Sequence, residues 1–412
     1  MDTLNMAATR DEANSVDLAT LDMSDTSRFQ NDTIGPFFER MRREAPVHYC
    51  PDSQFGPYWS ITKYNDIMAV DSNHRVFSSV GGIALLDPES DEMRTPMFIA
   101  MDPPKHDEQR KAVSPIVAPA NLAKLESLIR SRAVAIIESL PVGKTFDWVD
   151  KVSIELTTQM LATLFDFPFA DRRMLTHWSD VATMLSTTPD VRAYREAELQ
   201  KCLKYFVGLW NERINAKEPG NDLITMLAHN PATRDMHPRE FLGNLILLIV
   251  GGNDTTRNSI TGGLYFLNQN PGEYDKLRAN PGLIPNMVSE IIRYQTPLAY
   301  MRRRALVDIE MHGKTIKAGD KVAMWYVSGN RDSEMIEAPD QFLIDRPRAR
   351  QHLSFGFGIH RCVGNRLAEM QLKILWEELL KRYPRIEVIE EPKRIASSFV
   401  RGYASLPVRI AA

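Results

Sequence analysis

Apolar residues recur at helical spacing through most of the middle of the chain. Within 121–140 they fall at Leu122, Leu125, Leu128, Ile129, Ala133, Ile136 and Ile137, which share one face of a helix. The stretches 150–165 and 195–216 keep the same period. Cys202, inside the second, reads as a small packing residue. Alternation with a period of two is rarer. It marks strands in PYWSITKY (57–64) and in 307–327, where Ala318-Gly319-Asp320 forms a turn between extended runs. The expected fold is therefore mostly α, with a small β part drawn from both ends. No Pro/Gly/Ser linker divides the chain, so 18–412 is expected to be one domain. The polar stretch 1–17 lacks an apolar face and is expected to be a flexible arm.

One expected helix is unusually long. It starts at Pro238, suited to a first helical turn, and meets no further proline until Pro271. At about 1.5 Å per residue it would run roughly 45 Å. Gly251-Gly252 and Asp254-Thr255-Thr256 occupy its middle, where propensity discourages them. A local rule broken in a central element points to function. The expected distortion is a kink or widened turn, from glycine and from threonine hydroxyls bonding back to carbonyls.

Composition narrows the function classes. The 412 residues carry a formal net charge of −3 with both signs interleaved, so no basic field suits nucleic acid. Three cysteines make no disulfide framework and fit a reducing cytoplasm. The apolar run around 245–250 is far shorter than the about 20 residues a membrane span needs. The N-terminal segment resembles neither signal nor transit peptide.

Candidate chemistry concentrates in HLSFGFGIHRCVGNR (352–366). Cys362 stands just before an amphipathic helix that begins near Gly364 and Asn365. A sulfur there meets unpaired backbone N–H groups and the positive end of the helix dipole, which favour thiolate, a soft metal ligand. Gly356 and Gly358 allow the loop to lie flat against a partner, and Phe355 would cover the sulfur. A dinucleotide loop would need glycine where Arg361 stands. A zinc site would need more ligands than His352, His360 and Cys362. A nucleophilic cysteine with a distant histidine stays open.

Phe355-x-x-Gly358-x-His360-x-Cys362-x-Gly364 closely resembles the haem-binding loop of the cytochrome P450 superfamily of haem-thiolate monooxygenases. Three further segments follow in that family's order. SEIIRYQTP resembles its Glu-x-x-Arg helix, so Glu290 and Arg293 would form a buried structural network with Arg346. GGNDTT resembles its oxygen-side element: Thr255 would hydrogen-bond bound oxygen and Asp254 would connect to the proton supply. DPPKHDEQRK would place His106 and Arg110 on a haem propionate, with His360 on the same carboxylates. Arg303 is the expected further propionate ligand and Arg302 the second choice. Taken singly, each of these polar residues could equally be a solvated surface group.

The resemblance implies a single-domain P450 fold, a triangular helical prism with the long helix over haem b. It implies Cys362 as iron ligand, Phe355, Gly356 and Gly364 against the haem, and no flavin or nicotinamide site in this chain. O2 and a hydrophobic substrate are implied, with electrons from a ferredoxin and its NAD(P)H-dependent reductase. Arg361, Arg366, Lys111 and Lys373 are possible ferredoxin contacts. A peroxygenase would lack the acid–alcohol pair, and a non-catalytic haem sensor would not need it. Ile83, Leu85, Leu86, Met93, Met97, Phe98 and Ile99 suit an apolar guest, with Val250, Gly251, Leu298 and Phe399. LAYMRRRA and VAMWYVSGNRD look like the bacterial alkane-hydroxylating branch. That implies terminal oxidation of medium-chain alkanes or fatty acids; a bulkier terpene, steroid or aromatic is the alternative.

Overall fold

The computed structural model describes residues 3–88 and 95–411. Its longest element is the helix Pro238–Gln269. His237 starts it by accepting the Arg239 N–H on Nδ1 at 3.2 Å, and the helix stops at Asn270, before Pro271. It is buried along most of its length, as its apolar residues on all sides require. Helices Glu155–Phe165, Arg173–Ala182, Ile284–Gln295 and Asn365–Arg382 pack around it. A Cβ on Gly252 would come within 2.7 Å of Leu161, so this glycine admits the close approach of Glu155–Phe165.

The helix stays α-helical through Gly251–Thr256, without the expected widened turn. Thr255 does bond back, its Oγ1 donating to the Gly251 carbonyl at 2.8 Å, but this hydroxyl is accommodated within α geometry.

The main sheet has five strands in the order Val47–Cys50, Tyr58–Ile61, Lys321–Met324, Met301–Ala305, Phe77–Ser78. It draws on both ends of the chain, and only the second and third of these strands run parallel. Alternation along Met301–Ala305 sends Arg303 to one face and Arg302 and Arg304 to the other.

The stretch expected as a flexible arm contains the helix Thr3–Ser15. Arg40 Nη1 donates to the carbonyls of Ala13 at 2.8 Å and Val16 at 2.5 Å, satisfying the exposed end of that helix, and Ala13 is buried. These ties, with the Arg10–Glu39 pair at 3.1 Å, run to the helix Ile34–Glu44, distant in sequence, so no local pattern in 1–17 announces them. Among the described residues no helix is long and apolar enough to cross a membrane.

Candidate active site

The loop before Cys362 is fixed by backbone geometry and one acid. Gly356 and Gly358 both adopt φ near +65, the left-handed region that favours glycine. The Cys362 N–H donates to the Phe355 carbonyl at 2.8 Å. Asp71 is buried and accepts from the Phe357 N–H at 2.8 Å, the Tyr326 hydroxyl at 2.8 Å and Arg303 Nη2 at 2.7 Å. One carboxylate thus ties the cysteine loop to the strand carrying Arg303. Nothing in the local pattern around Asp71 marks it, because its partners come from three distant segments.

Behind the loop, Glu290 binds two guanidinium groups. Arg293 meets both carboxylate oxygens at 2.7 and 2.8 Å, and Arg346 Nε lies 3.0 and 3.1 Å from them. All three side chains are buried, as the resemblance implied. The arginines also donate to carbonyls of Asn330, Ala338 and Gln341, so the triad organises the irregular chain leading to the cysteine.

Cys362 borders an interior cavity of about 840 Å³. Its exposed surface faces that cavity, and burial within the protein pushes its thiol up. The Gly364 and Asn365 N–H groups and the Arg110 and Arg361 charges pull the other way. The helix start does favour thiolate, as expected, but burial outweighs it until a cation arrives.

The cavity walls fit a flat anionic group on the sulfur. Phe355, Gly356, His360 and Gly364 border it on the cysteine side, and Val250, Gly251 and Thr255 elsewhere on its wall. A Cβ on Gly364 or on Gly251 would meet no protein atom within 4 Å. At the edge, the rings of His106 and His360 lie 4.4 Å apart. His106 Nδ1 contacts Asp107 at 2.7 Å and His360 Nε2 contacts the Ser79 hydroxyl at 2.9 Å. Their other nitrogens, His106 Nε2 and His360 Nδ1, are buried without a partner among the described residues. Burial, with Arg303 adding to it, pushes His360 down to about 2, and burial also lowers His106. Both rings are thus neutral until an anion joins them. Arg110 borders the cavity, and among the described residues its side chain donates only to the Arg361 carbonyl. Arg303 borders it too, whereas Arg302 turns away to Asp87 and to the Gly82 carbonyl at 3.2 Å.

Thr255 stands on the cavity wall, and Asp254 lies behind it, fully buried. Asp254 Oδ1 accepts from Arg257 Nη2 at 2.8 Å and Asn253 Nδ2 at 3.1 Å. Arg257 Nη2 also reaches Asp180 at 2.8 Å, and Asp180 is half-exposed. Asp254 Oδ2 and the adjacent Ser179 hydroxyl have no well-formed hydrogen bond. Burial raises Asp254 to about 6, against the pull of Arg257. Sequence reasoning missed Arg257 and Asp180; the three-residue spacing from Asp254 on one helix was the available signal for Arg257.

Ile83, Leu86, Val250, Gly251, Leu298 and Phe399 all border the cavity, as do Met97, Phe98 and Ile99. A bridge between Leu298 and Val400 joins the two late loops. Leu85 does not border it: its N–H donates to the Tyr300 hydroxyl at 3.0 Å and its side chain packs under the sheet. Met93 lies outside the described residues.

A slot bordered by one cysteine thiol among the described residues, with unsatisfied polar atoms at its edge and a helix hydroxyl on its wall, is the architecture of a haem-thiolate oxygenase. The chain belongs to the cytochrome P450 family, whose profile matches residues 60–402. Among curated relatives, linalool 8-monooxygenase from Pseudomonas putida is 37% identical over 90% of this chain and 94% of its own length. A methyl-branched lipid omega-hydroxylase from Mycobacterium tuberculosis is 32% identical over 90% of each chain. Among solved structures, cytochrome P450-153 from Novosphingobium aromaticivorans superposes with TM-score 0.90 at 47% identity, covering 94% of this chain and 99% of that one. The protein is a monooxygenase, and its cofactor is haem b.

Proposed function

We propose that the protein hydroxylates the terminal carbon of a linear, medium-chain hydrophobe, an alkane or a fatty acid. Electrons would come from a ferredoxin served by an NAD(P)H-dependent reductase. The observation that carries this reading is the apolar space bordered by Ile83, Leu86, Val250, Leu298 and Phe399. Its about 840 Å³ must hold the haem as well as the substrate, which favours a slender guest. A primary C–H bond is stronger than a secondary one, so only restricted positioning can select it. The relative named for omega-hydroxylation of a methyl-branched lipid supports attack at a chain end. The relative named for linalool supports a terpene as second reading.

Bound haem supplies oxygen activation, with electron donation from its thiolate ligand. The chain's own residues do the rest. Cys362 is the iron ligand, and Phe355 covers the loop. His106, Arg110, His360 and Arg303 hold the haem carboxylates. Thr255 Oγ1, rotated off the Gly251 carbonyl, would donate a hydrogen bond into the cavity, where bound haem would activate oxygen. Asp254 holds a proton at Oδ2 and is resupplied when Arg257 shifts toward the half-exposed Asp180. Glu290, Arg293 and Arg346 keep the cysteine loop in register. Arg361, Arg366 and Lys111 are exposed cations on segments next to Cys362 and suit an acidic ferredoxin. Lys373 contributes less, being 3.0 Å from Glu377.

The test is a spin-state titration of the ferric holoenzyme with dodecane, dodecanoate and a monoterpene, followed by product analysis with NADH and a surrogate ferredoxin system. A terminal alcohol from a linear chain is the expected product. Silence with every linear chain overturns the reading, and response to the monoterpene alone establishes the second.

A further inference from the structure

Among the described residues, five Lys or Arg side chains border the cavity: Lys105, Arg110, Arg192, Arg195 and Arg303. Lys105 lies 2.8 Å from Glu240, and Arg303 lies 2.7 Å from Asp71. Arg192 donates to the Ser186 carbonyl at 3.0 Å and has other partners. Arg110 and Arg195 differ from these. Neither has a carboxylate within ion-pair distance among the described residues. Arg110 lies beside the cysteine loop, where haem brings its own carboxylates. Arg195 has no such explanation.

Arg195 belongs to the helix Pro189–Ile214. Its Nε and Nη2 both donate to the Ala182 carbonyl, at 3.3 and 3.2 Å. The connection that follows Ala182 includes Met184, which is exposed and also borders the cavity, so Arg195 stands at the rim. The neighbouring acid does not neutralise it by contact. Glu196 accepts from Gln200 at 2.9 Å and approaches Arg239 at 3.9 Å. The Nη1–Nη2 edge of Arg195 is left for a ligand, in the fork geometry that matches a carboxylate. Burial lowers the pKa of this guanidinium, as for a cation withdrawn from water without full compensation. Glu196, the neighbouring acid, offsets part of this charge without contacting it, and a half-buried guanidinium with an open edge gains from a ligand that brings a carboxylate.

We infer that Arg195 anchors the anionic head of the substrate, a carboxylate at the chain end opposite the carbon that is oxidised. This rests on the chain-end reading above and chooses within it: the substrate is a fatty-acid-like carboxylate in preference to a plain alkane. The anchor at the rim and the sulfur's iron at the floor then select chain length, because only a chain spanning the two presents its terminal methyl group.

The experiment compares wild-type holoenzyme with Arg195→Gln and Arg195→Lys, each first shown to keep its reduced-CO thiolate spectrum. Ferric protein is titrated with dodecanoate, with dodecanol, a neutral chain of the same length, and with dodecane. Arg195→Gln is expected to weaken dodecanoate by about tenfold or more while dodecanol changes by less than about twofold. Arg195→Lys is expected to retain part of the dodecanoate affinity, and added salt to weaken dodecanoate selectively. Turnover of dodecanoate by Arg195→Gln is expected to spread from the terminal carbon to in-chain positions. Equal dodecanoate affinity in wild type and Arg195→Gln overturns the anchor, as does wild-type binding of dodecanol without dodecanoate. Wild-type response to dodecane alone also overturns the anchor, and wild-type silence with dodecanoate, dodecanol and dodecane together overturns the chain-end reading itself.

Discussion

Asp254 and Arg257 form a 2.8 Å ion pair inside the central helix, and the same arginine nitrogen reaches Asp180 near the surface. The pair does not fully offset burial, which raises Asp254 from its ordinary range to about 6. Between about pH 4 and pH 6 the folded state therefore holds a proton on Asp254 that the unfolded chain has released. Stability from this group is present at lower pH and is lost as pH rises through about 6. Asp254→Asn removes that loss. The melting temperature of the variant relative to wild type should climb from pH 4.5 to 7.5, by the equivalent of about 2 kcal/mol. A difference that stays flat over this range would show that the carboxyl is not held protonated.

Thr255 touches the cavity, while Asp254 does not. Its hydroxyl is already spent on the Gly251 carbonyl at 2.8 Å, so it can serve the reaction only by rotating off that carbonyl. Thr255→Ala should keep haem content and substrate-induced spin shift. Product formed per NADH should fall about tenfold or more, with hydrogen peroxide taking up the difference. Thr255→Ser should restore most of the coupling. An Ala variant that remained fully coupled would remove Thr255 from proton delivery.

Glu290 is the sole carboxylate between Arg293 and Arg346 among the described residues. Glu290→Gln would leave two buried guanidinium groups facing a neutral amide. The expected cost is about 3–5 kcal/mol, read by urea unfolding of the apoprotein, together with a reduced haem-to-protein ratio. A cost below about 1 kcal/mol would mean that the backbone carbonyls bonded to these arginines suffice to hold them.

Residues whose partners lie close in sequence were legible. The flanking prolines bounded Pro238–Gln269, the amphipathic pattern after Gly364 marked Asn365–Arg382, and the fixed spacing around Cys362 marked the site. Alternation in Met301–Ala305 correctly separated Arg303 from Arg302. What stayed hidden depends on contacts between distant segments. Asp71 serves Arg303, Tyr326 and Phe357 together, and no pattern around it announces that. Arg40 fixes the first helix from a separate element. The widened turn expected from the glycine pair did not form, because Gly252 serves the close packing of Leu161.

Gly356 and Gly358 share the same backbone conformation, with φ near +65, but differ in what a side chain would strike. At Gly356 a Cβ would come 3.3 Å from Asp71 Oδ2 and 3.4 Å from the Tyr326 hydroxyl, contacts a small side-chain shift relieves. At Gly358 it would come 2.7 Å from the Asp71 carbonyl oxygen and 3.0 Å from Ser72 Cα, which are backbone atoms. That backbone cannot retreat without moving the carboxylate that holds Phe357, Tyr326 and Arg303. Gly356→Ala should therefore cost about 1 kcal/mol for the left-handed conformation alone. Gly358→Ala should cost about 3 kcal/mol, because overpacking adds to the same conformational strain. Denaturant unfolding of both variants measures the difference, and the Gly358 variant alone should lose the thiolate signature in its reduced-CO spectrum. Equal costs would show that the cysteine loop can move away from Asp71, and that this acid does not set where Cys362 stands.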